Sequence, residues 1–232
     1  MSLLSVRGLT AFYGDSQALF GIDMEIAAGE TVAIIGSNGA GKSTFLRSIC
    51  GLLAPPADSI HLNGRPIAGL PANQIARAGI ALVPEGRRLF PSLSVEENIG
   101  LGGYGGRSGP WTLKRVYDMF PDLYIRRSHA ATKLSGGQQQ MVAIGRALMA
   151  NPDLLLCDEI SLGLAPRVVK DIYRSIDSII GEGTSVVVVE QDIAQALRVA
   201  DRFYCFQEGR VSLGGRPGEV SMATISGAYF GV

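Results

Sequence analysis

Short apolar runs and longer segments of helical periodicity alternate along most of the chain. Runs that are apolar throughout are typical of strands buried on both faces, and strands that alternate with helices form parallel sheets. The pattern therefore predicts an α/β fold with a mainly parallel core sheet that helices cover on both faces. The strand-like runs are 31–36, 80–84, 153–159 and 184–190, and the main helical segments are 41–53, 71–79 and 166–183.

Other segments predict antiparallel strands. Early strands are expected at 3–9 and 22–26, and a hairpin at 59–67 turns at an Asn-Gly pair. A second hairpin is expected at 202–213, before a short helical tail. The core sheet should therefore be accompanied by an antiparallel β part.

The segment from about 86 to 150 is mostly helical, so we expect it to form a helical subdomain. Ser94 and Glu97 have the spacing of a capping box, and the glycine-rich and proline-containing stretch 102–110 predicts a flexible surface loop. The remaining residues, about 1–85 and 151–232, would form the core. We expect the chain 1–232 to be a single domain.

Composition narrows the classes of function. Lysine and arginine number 21, as do aspartate and glutamate, so no net field attracts nucleic acid and we expect no such partner. Three widely spaced cysteines without a CxxC pair are typical of a reducing cytosol. No apolar run nears the ~18 residues of a membrane span, and the N-terminus does not resemble a signal peptide, so a membrane role would require a partner.

The sequence GSNGAGKS at 36–43 matches the phosphate-binding pattern G-x-x-x-x-G-K-[ST] between a predicted strand and a predicted helix. Its glycines let backbone N–H groups face phosphate oxygens, and the start of the helix adds a positive dipole. Lys42 would reach the β- and γ-phosphates, and the Ser43 hydroxyl would ligate Mg²⁺. The predicted nucleotide-binding residues here are Gly36, Ser37, Asn38, Gly39, Ala40, Gly41, Lys42, Ser43 and Thr44.

Two carboxylates, Asp158 and Glu159, end a predicted buried strand. This is the edge of the sheet at which open α/β folds bind ligands. Asp158 would hold Mg²⁺ through water, and Glu159 would act as general base on the attacking water. Solvated carboxylates are common at strand ends, but here they accompany a complete phosphate-binding loop.

A second glycine-rich helix start, LSGGQ at 134–138, is also suited to binding an anion. Met141, Ile144 and Leu148 recur at helical spacing, so the helix has an apolar face to bury. Burial of that face would hold Ser135 and the two glycines at an exposed edge of the helical subdomain.

The chain contains a phosphate-binding loop, LSGGQ and an Asp-Glu pair in this order, and this set resembles the motifs of ATP-binding-cassette (ABC) ATPases. The resemblance extends over nearly the whole chain. The resemblance implies a P-loop NTPase fold of the ABC type, with ATP and Mg²⁺ as ligands and ATP hydrolysis as the activity. It also implies a head-to-tail pair with a second ATPase subunit. In that pair, Ser135, Gly136, Gly137 and Gln138 of one subunit would bind the ATP held by Lys42 of the other.

The resemblance also implies roles for residues outside the three motifs. Tyr13 matches the aromatic residue that stacks on adenine, although an ordinary turn tyrosine is the alternative. Glu85 would ligate Mg²⁺ where most members have a glutamine, and 161–166 match the loop that crosses to the other subunit. Gln191 stands where most members have a histidine that contacts the γ-phosphate.

Three positions depart from the family pattern. Glu85 keeps an oxygen for Mg²⁺ or its water but adds a negative charge. Gln191 keeps a hydrogen-bond donor but cannot titrate near neutral pH, which shifts the base role further toward Glu159. Ile160 stands where the family usually has a proline, which would fix φ at about −65°. We expect the surrounding packing to hold this loop in place of that restraint.

Residues 83–99 and 186–192 resemble one ATPase subunit of the bacterial branched-chain (hydrophobic) amino acid importers. The resemblance implies a peripheral protein at the cytoplasmic face of the inner membrane. Its partners would be a second ATPase subunit, integral membrane permease subunits and, indirectly, a periplasmic solute-binding protein. Similar proteins handle urea or short amides, which leaves the solute open. The segment 87–90 is a candidate permease contact or an ordinary polar loop.

Two other classes of function stay open. A soluble ABC protein for translation usually has two tandem cassettes, and repair proteins insert long coiled coils before LSGGQ. This chain has one cassette, and the short segment between Lys42 and Ser135 contains no sustained heptads. A non-catalytic regulator or exporter subunit is supported only by Ile160.

Overall fold

Two β-sheets organise the chain, of which the structure, a computed structural model, describes residues 2–231. The strands are β1 (Ser2–Tyr13), β2 (Ser16–Ala27), β3 (Thr31–Ile35), β4 (Ile60–Leu62), β5 (Arg65–Pro66), β6 (Ile80–Val83), β7 (Leu154–Asp158), β8 (Ser185–Glu190), β9 (Arg202–Gln207) and β10 (Arg210–Gly215). The α-helices are α1 (Lys42–Ile49), α2 (Ala72–Ala78), α3 (Val95–Gly100), α4 (Leu113–Met119), α5 (Pro121–Ile125), α6 (Gly136–Leu148), α7 (Pro166–Gly181), α8 (Ile193–Val199) and α9 (Met222–Phe230).

The central sheet has the order β10-β9-β3-β8-β7-β6, in which only β10 pairs antiparallel. Every residue of β3, β7 and β8 is buried, as the apolar runs predict for strands covered on both faces. The carboxyl ends of these strands meet at one edge, since Ile35 pairs with Glu190 and Asp158 pairs with Val189. The loops that follow them therefore converge.

The second sheet is antiparallel, with the order β2-β1-β4-β5, and confirms the predicted antiparallel part. Asn63 and Gly64 both have positive φ, 49° and 74°, as a two-residue hairpin turn requires. The first two strands are longer than predicted. Their pairing contains several register shifts, and such bulges break the alternation from which strands are recognised in a sequence.

The helices α3 to α6 lie between β6 and β7 in the chain. The Ser94–Glu97 capping box is present at the start of α3. The prediction of a flexible loop at 102–110 is wrong for the first half of this stretch, because Leu101–Gly105 form a 3₁₀ helix. A Cβ at Gly102 would overlap the carbonyl oxygen of Arg146, so this glycine permits close packing. The division into core and helical subdomain stays a prediction.

Helix α1 ends earlier than the sequence pattern indicates. Gly51 adopts φ 68°, and a Cβ there would lie 2.5 Å from the carbonyl oxygen of Leu70. The left-handed glycine therefore ends the helix before the prolines do. Among residues 2–231, no helix combines the length and apolar character that membrane crossing would need.

Candidate nucleotide-binding site

The phosphate-binding loop connects β3 to α1. Gly41 caps α1 with φ 101°, a backbone conformation that residues other than glycine rarely adopt. A Cβ at Gly36 would lie 2.5 Å from the carbonyl oxygen of Phe206, so the loop also packs closely on β9. Lys42 Nζ donates hydrogen bonds to the carbonyl oxygens of Gly36 at 2.6 Å and Ser37 at 3.1 Å. The lysine therefore lies across the loop.

The carboxyl ends of β7 and β8 place three predicted side chains, Asp158, Glu159 and Gln191, against this loop. Ser43 Oγ lies 3.4 Å from Asp158 Oδ1, and Lys42 Nζ lies 3.7 Å from Glu159 Oε1. Gln191 Nε2 donates a 2.6 Å hydrogen bond to Glu159 Oε2. The structure thus brings together a lysine, a hydroxyl, two carboxylates and an amide that are far apart in the sequence.

Burial sets the electrostatics of this group. Burial raises the pKa of Asp158 to about 6; the Ser43 hydrogen bond opposes this, and the charges of Glu159 and Glu85 add to it. Burial also lowers the pKa of Lys42, against the attraction of Glu159 and Asp158. Asp158 therefore lies where a bound cation would relieve the cost of its charge.

The oxygens near Asp158 fit Mg²⁺. Hydroxyl and carboxylate oxygens are the ligands that this ion prefers, and Ser43 and Asp158 supply one of each. Within the described residues, no three His, Cys, Asp or Glu side chains cluster as a metal site. Mg²⁺ sites commonly use one or two carboxylates together with substrate phosphates.

A cleft of about 740 Å³ opens above the phosphate-binding loop. Predicted residues that line it include 38–44, Glu85, Glu159 and Gln191. The other lining residues were not predicted for this cleft: most come from distant elements, Leu162 was expected only in the loop that crosses to a second subunit, and the Glu-Gly turn between β9 and β10 was recognisable only as a hairpin turn. These residues are Gln17, Ala18, Phe20, Leu162, Glu208 and Gly209.

Tyr13 does not line this cleft but lies close to it. Its hydroxyl is 3.4 Å from Thr44 Oγ1 and accepts a 3.2 Å hydrogen bond from Arg47. Its side chain is exposed enough to contact a ligand, at 44%. The role in stacking on adenine stays a prediction.

The turn that follows β7 has a strained backbone. Glu159 adopts φ 47°, which is uncommon for a residue other than glycine. Its N–H donates to the carbonyl oxygen of Val189 at 2.9 Å, and Ile160 is buried in the apolar cluster beneath. This packing supports the expectation that neighbouring residues hold the turn without a proline.

The LSGGQ segment begins α6, as the sequence predicts. Ser135 caps the helix in a capping box with Gln138, and Ile144 and Leu148 are fully buried. A Cβ at Gly137 would overlap the side chain of Val168 in α7, so a larger residue would force Val168 to shift. None of Ser135, Gly136, Gly137 and Gln138 lines the cleft. Within one chain, the two glycine-rich helix starts are not parts of one site.

The segment after Glu85 is fastened to the same helix. Arg87 and Arg88 have φ of 66° and 47°, and Arg146 of α6 donates hydrogen bonds to both carbonyl oxygens, at 2.9 and 2.8 Å. Phe90 remains half exposed beyond this contact. The segment 87–90, a candidate permease contact or an ordinary loop, is therefore held in a defined shape by the LSGGQ helix.

Comparison with known proteins identifies the family. The family model described as "ABC transporter" matches residues 19–161. The chain belongs to the ABC transporter family. One member, the high-affinity branched-chain amino acid transport ATP-binding protein BraG of Pseudomonas aeruginosa, is 45% identical over 211 residues, covering 90% of this chain and 91% of BraG.

Other members extend the comparison. The probable branched-chain amino acid transport ATP-binding protein LivF of Archaeoglobus fulgidus is 33% identical and covers 94% of both chains. A dimeric ABC cassette in a post-hydrolysis state, bound to ADP and Pi, superposes with a TM-score of 0.81 at 27% identity, covering 92% of this chain and 98% of that one. The predicted ABC-type fold and ATPase activity are thus confirmed.

Proposed function

We propose that this ABC ATPase powers an importer for branched-chain or other hydrophobic amino acids. The observation that carries the ATPase role is the contact of Glu159 with both Lys42 and Gln191 at the phosphate-binding loop. The solute rests on similarity to BraG and LivF, whose names state it for those proteins. Urea or amide import is the alternative.

In this proposal, the residues of the cleft divide the work of hydrolysis. The loop 36–44 and Lys42 bind the phosphates. Ser43, Glu85 and, through water, Asp158 would hold Mg²⁺, which would neutralise phosphate charge. Glu159 accepts a proton from the attacking water. Gln191 cannot take up that proton, so it positions Glu159 and donates hydrogen bonds.

The LSGGQ helix completes the site of a second subunit. Ser135, Gly136, Gly137 and Gln138 begin α6 away from the cleft of their own chain, and Ser135 is exposed. A partner's bound ATP would fill that anion-binding helix start. The dimeric form of the similar cassette bound to ADP and Pi supports a paired arrangement.

The membrane permease subunits would dock beside Glu85, on the segment 87–90. An apolar groove of about 310 Å³ is lined in part by Leu52, Ile75 and Arg146, and Arg146 also binds the carbonyl oxygens of the segment 87–90. The groove would suit a short apolar segment of a partner. This docking would place the chain at the cytoplasmic face of the inner membrane, with a periplasmic solute-binding protein on the other side.

Reconstitution tests the proposed solute. The chain is purified with its native membrane subunits, placed in proteoliposomes and supplied with their binding protein. We expect leucine, isoleucine or valine to stimulate ATP hydrolysis, with urea as the comparison solute. Stimulation by urea or short amides alone would contradict amino acid import.

A further inference from the structure

The buried carboxylate of Glu190 lies at the end of β8, and none of the roles described above is assigned to it. It is 2% exposed and accepts three hydrogen bonds. Ser161 supplies two of them, from Oγ at 2.8 Å and from its backbone N–H at 3.2 Å, and the Tyr173 hydroxyl supplies the third at 3.0 Å. Among residues 2–231, no basic side chain forms an ion pair with Glu190.

Such a residue is costly for stability. Burial raises the pKa of Glu190, and hydrogen bonds from Ser161 and Tyr173 offset only part of this rise. An apolar side chain of similar volume would avoid the cost of burying the charge. The presence of Glu190 is therefore better explained by what its carboxylate holds in place.

The carboxylate holds one side of the turn that carries Glu159. Three consecutive residues at the end of β8 fasten this turn: Val189 accepts from the Glu159 N–H, Glu190 binds Ser161, and Gln191 donates to the Glu159 side chain. Glu159 has φ 47°, and such conformations persist only where the surroundings determine them.

We propose that Glu190 is a positioning residue that fixes the turn 159–161, so that Glu159 faces Lys42 and Gln191. Ile160 gives the turn no dihedral restraint of its own, and the hydrogen bonds to Ser161 supply one. Ser161 also begins the loop 161–166, so Glu190 joins this loop to the base. The inference rests on the proposed function through the role of Glu159.

Two substitutions separate positioning from chemistry. In Glu190→Gln, the amide oxygen can accept hydrogen bonds from the Ser161 N–H and from the Tyr173 hydroxyl. The amide N–H can donate to Ser161 Oγ, so the turn stays held without a charge. Glu190→Leu removes all three acceptors. We expect Glu190→Leu to lower kcat for ATP hydrolysis about ten- to a hundredfold, with KM for ATP changed less than about threefold.

We expect Glu190→Gln to restore most of that loss. An inactive Glu190→Gln with an unchanged fold would overturn the positioning role, because the charge or proton of Glu190 would then be required. Ser175→Ala is the control, since it removes a buried hydroxyl from α7 that does not contact Glu190. It should leave kcat unchanged.

Hydrogen exchange of the full chain without nucleotide gives a second readout. Peptides that cover 159–165 should exchange faster in Glu190→Leu, because the Ser161 N–H loses its acceptor. If Glu190→Leu does not fold, Ser161→Ala provides the same two measurements with a smaller expected change. Wild-type kcat and wild-type exchange in the folded variant would overturn the proposal.

The Glu159→Gln variant keeps the two claims distinct. If Glu159→Gln hydrolyses ATP normally, the proposed base is wrong, and the exchange data alone then decide whether Glu190 holds the turn. If Glu159→Gln is inactive while Glu190→Leu keeps kcat and slow exchange, only the role of Glu190 is wrong.

Discussion

Gln191 Nε2 donates a 2.6 Å hydrogen bond to Glu159 Oε2, while the other oxygen of that carboxylate lies 3.7 Å from Lys42 Nζ. Glu159 is thus held between an amide, which cannot titrate, and a buried ammonium group. In the proposed mechanism, with Glu159 as general base, the amide would orient the base without competing for its proton.

Substitutions at Gln191 test this relationship. Gln191→Ala should lower kcat about ten- to a hundredfold with little change in KM for ATP, because Glu159 loses an orienting contact. Gln191→His should recover part of the rate but add a pH dependence. Below pH ~6.5 the imidazolium would pair with Glu159 and weaken it as a base, so kcat should fall. Steady-state rates across pH measure both effects, and a Gln191→Ala variant with wild-type kcat would contradict this role.

Asp158 should reduce the stability of the chain at neutral pH. Folding raises the pKa of Asp158 from 3.8 to about 6, so the folded chain binds this proton more tightly than the unfolded chain. The stability that comes from this proton is fully present below pH 3.8 and is lost as pH rises through about 6. In chelator-containing buffer without nucleotide, Asp158→Asn should increase the free energy of unfolding by about 1–3 kcal/mol at pH 8.

That gain should disappear near pH ~4, where Asp158 is protonated in both states. Urea unfolding at several pH values measures it. Asp118→Asn, which changes an exposed carboxylate on α4, is the matched control and should show little effect. A gain at pH ~4 equal to that at pH 8 would contradict the assignment to Asp158.

The sequence predicted the parts of the site that are local. The phosphate-binding loop and the Asp158–Glu159 pair each lie within a few residues of a strand end, where parallel-sheet geometry fixes their position. Phe20 comes from β2 and Gly209 from the turn between β9 and β10, and only the tertiary fold brings them to the cleft. In the sequence, Glu190 is recognisable only as the end of an apolar strand, because its partners Ser161 and Tyr173 are distant along the chain.

Glycine was the least reliable local signal. The glycines at 102–110 predicted flexibility, but Gly102 and Gly109 lie where a side chain would meet Arg146 and Asn151. A sequence cannot distinguish a glycine that gives freedom from one that permits close packing, because the difference lies in the neighbouring element.

Ser135→Arg should prevent pairing without preventing ATP binding. An arginine at the exposed helix start would occupy the space in which the phosphates of a partner's ATP are proposed to bind. Ser135 does not line the cleft of its own chain, so ATP binding there should be unaffected. ATP affinity of the monomer should stay within about threefold, and ATP-driven dimerisation and turnover should be lost.

Ser94→Arg is a matched control for this variant. It removes the serine of the other capping box and introduces the same side chain on α3. Both variants should lose about 1 kcal/mol of stability, yet Ser94→Arg should still dimerise. Light scattering with ATP measures the pairing. Normal turnover in Ser135→Arg would contradict the shared site.

Arg146→Lys should weaken coupling to the membrane subunits. Lysine cannot bridge the carbonyl oxygens of Arg87 and Arg88 as the guanidinium does, so the segment beside Glu85 would lose its fixed shape. The ratio of permease-stimulated to basal hydrolysis should fall severalfold while KM for ATP is kept. Arg115→Lys, at an exposed ion pair with Glu182, is the control, and full stimulation of Arg146→Lys would contradict the coupling role.

The central claim is that Glu159 is the general base at an ATP shared by two subunits. Single-turnover hydrolysis by Glu159→Gln tests this claim most directly. The amide keeps the volume of the side chain but cannot accept the proton of water. With ATP and Mg²⁺, we predict a variant that binds ATP and stays dimeric while ADP formation slows at least ~10²-fold. ADP formation at the wild-type rate by this variant would contradict the account.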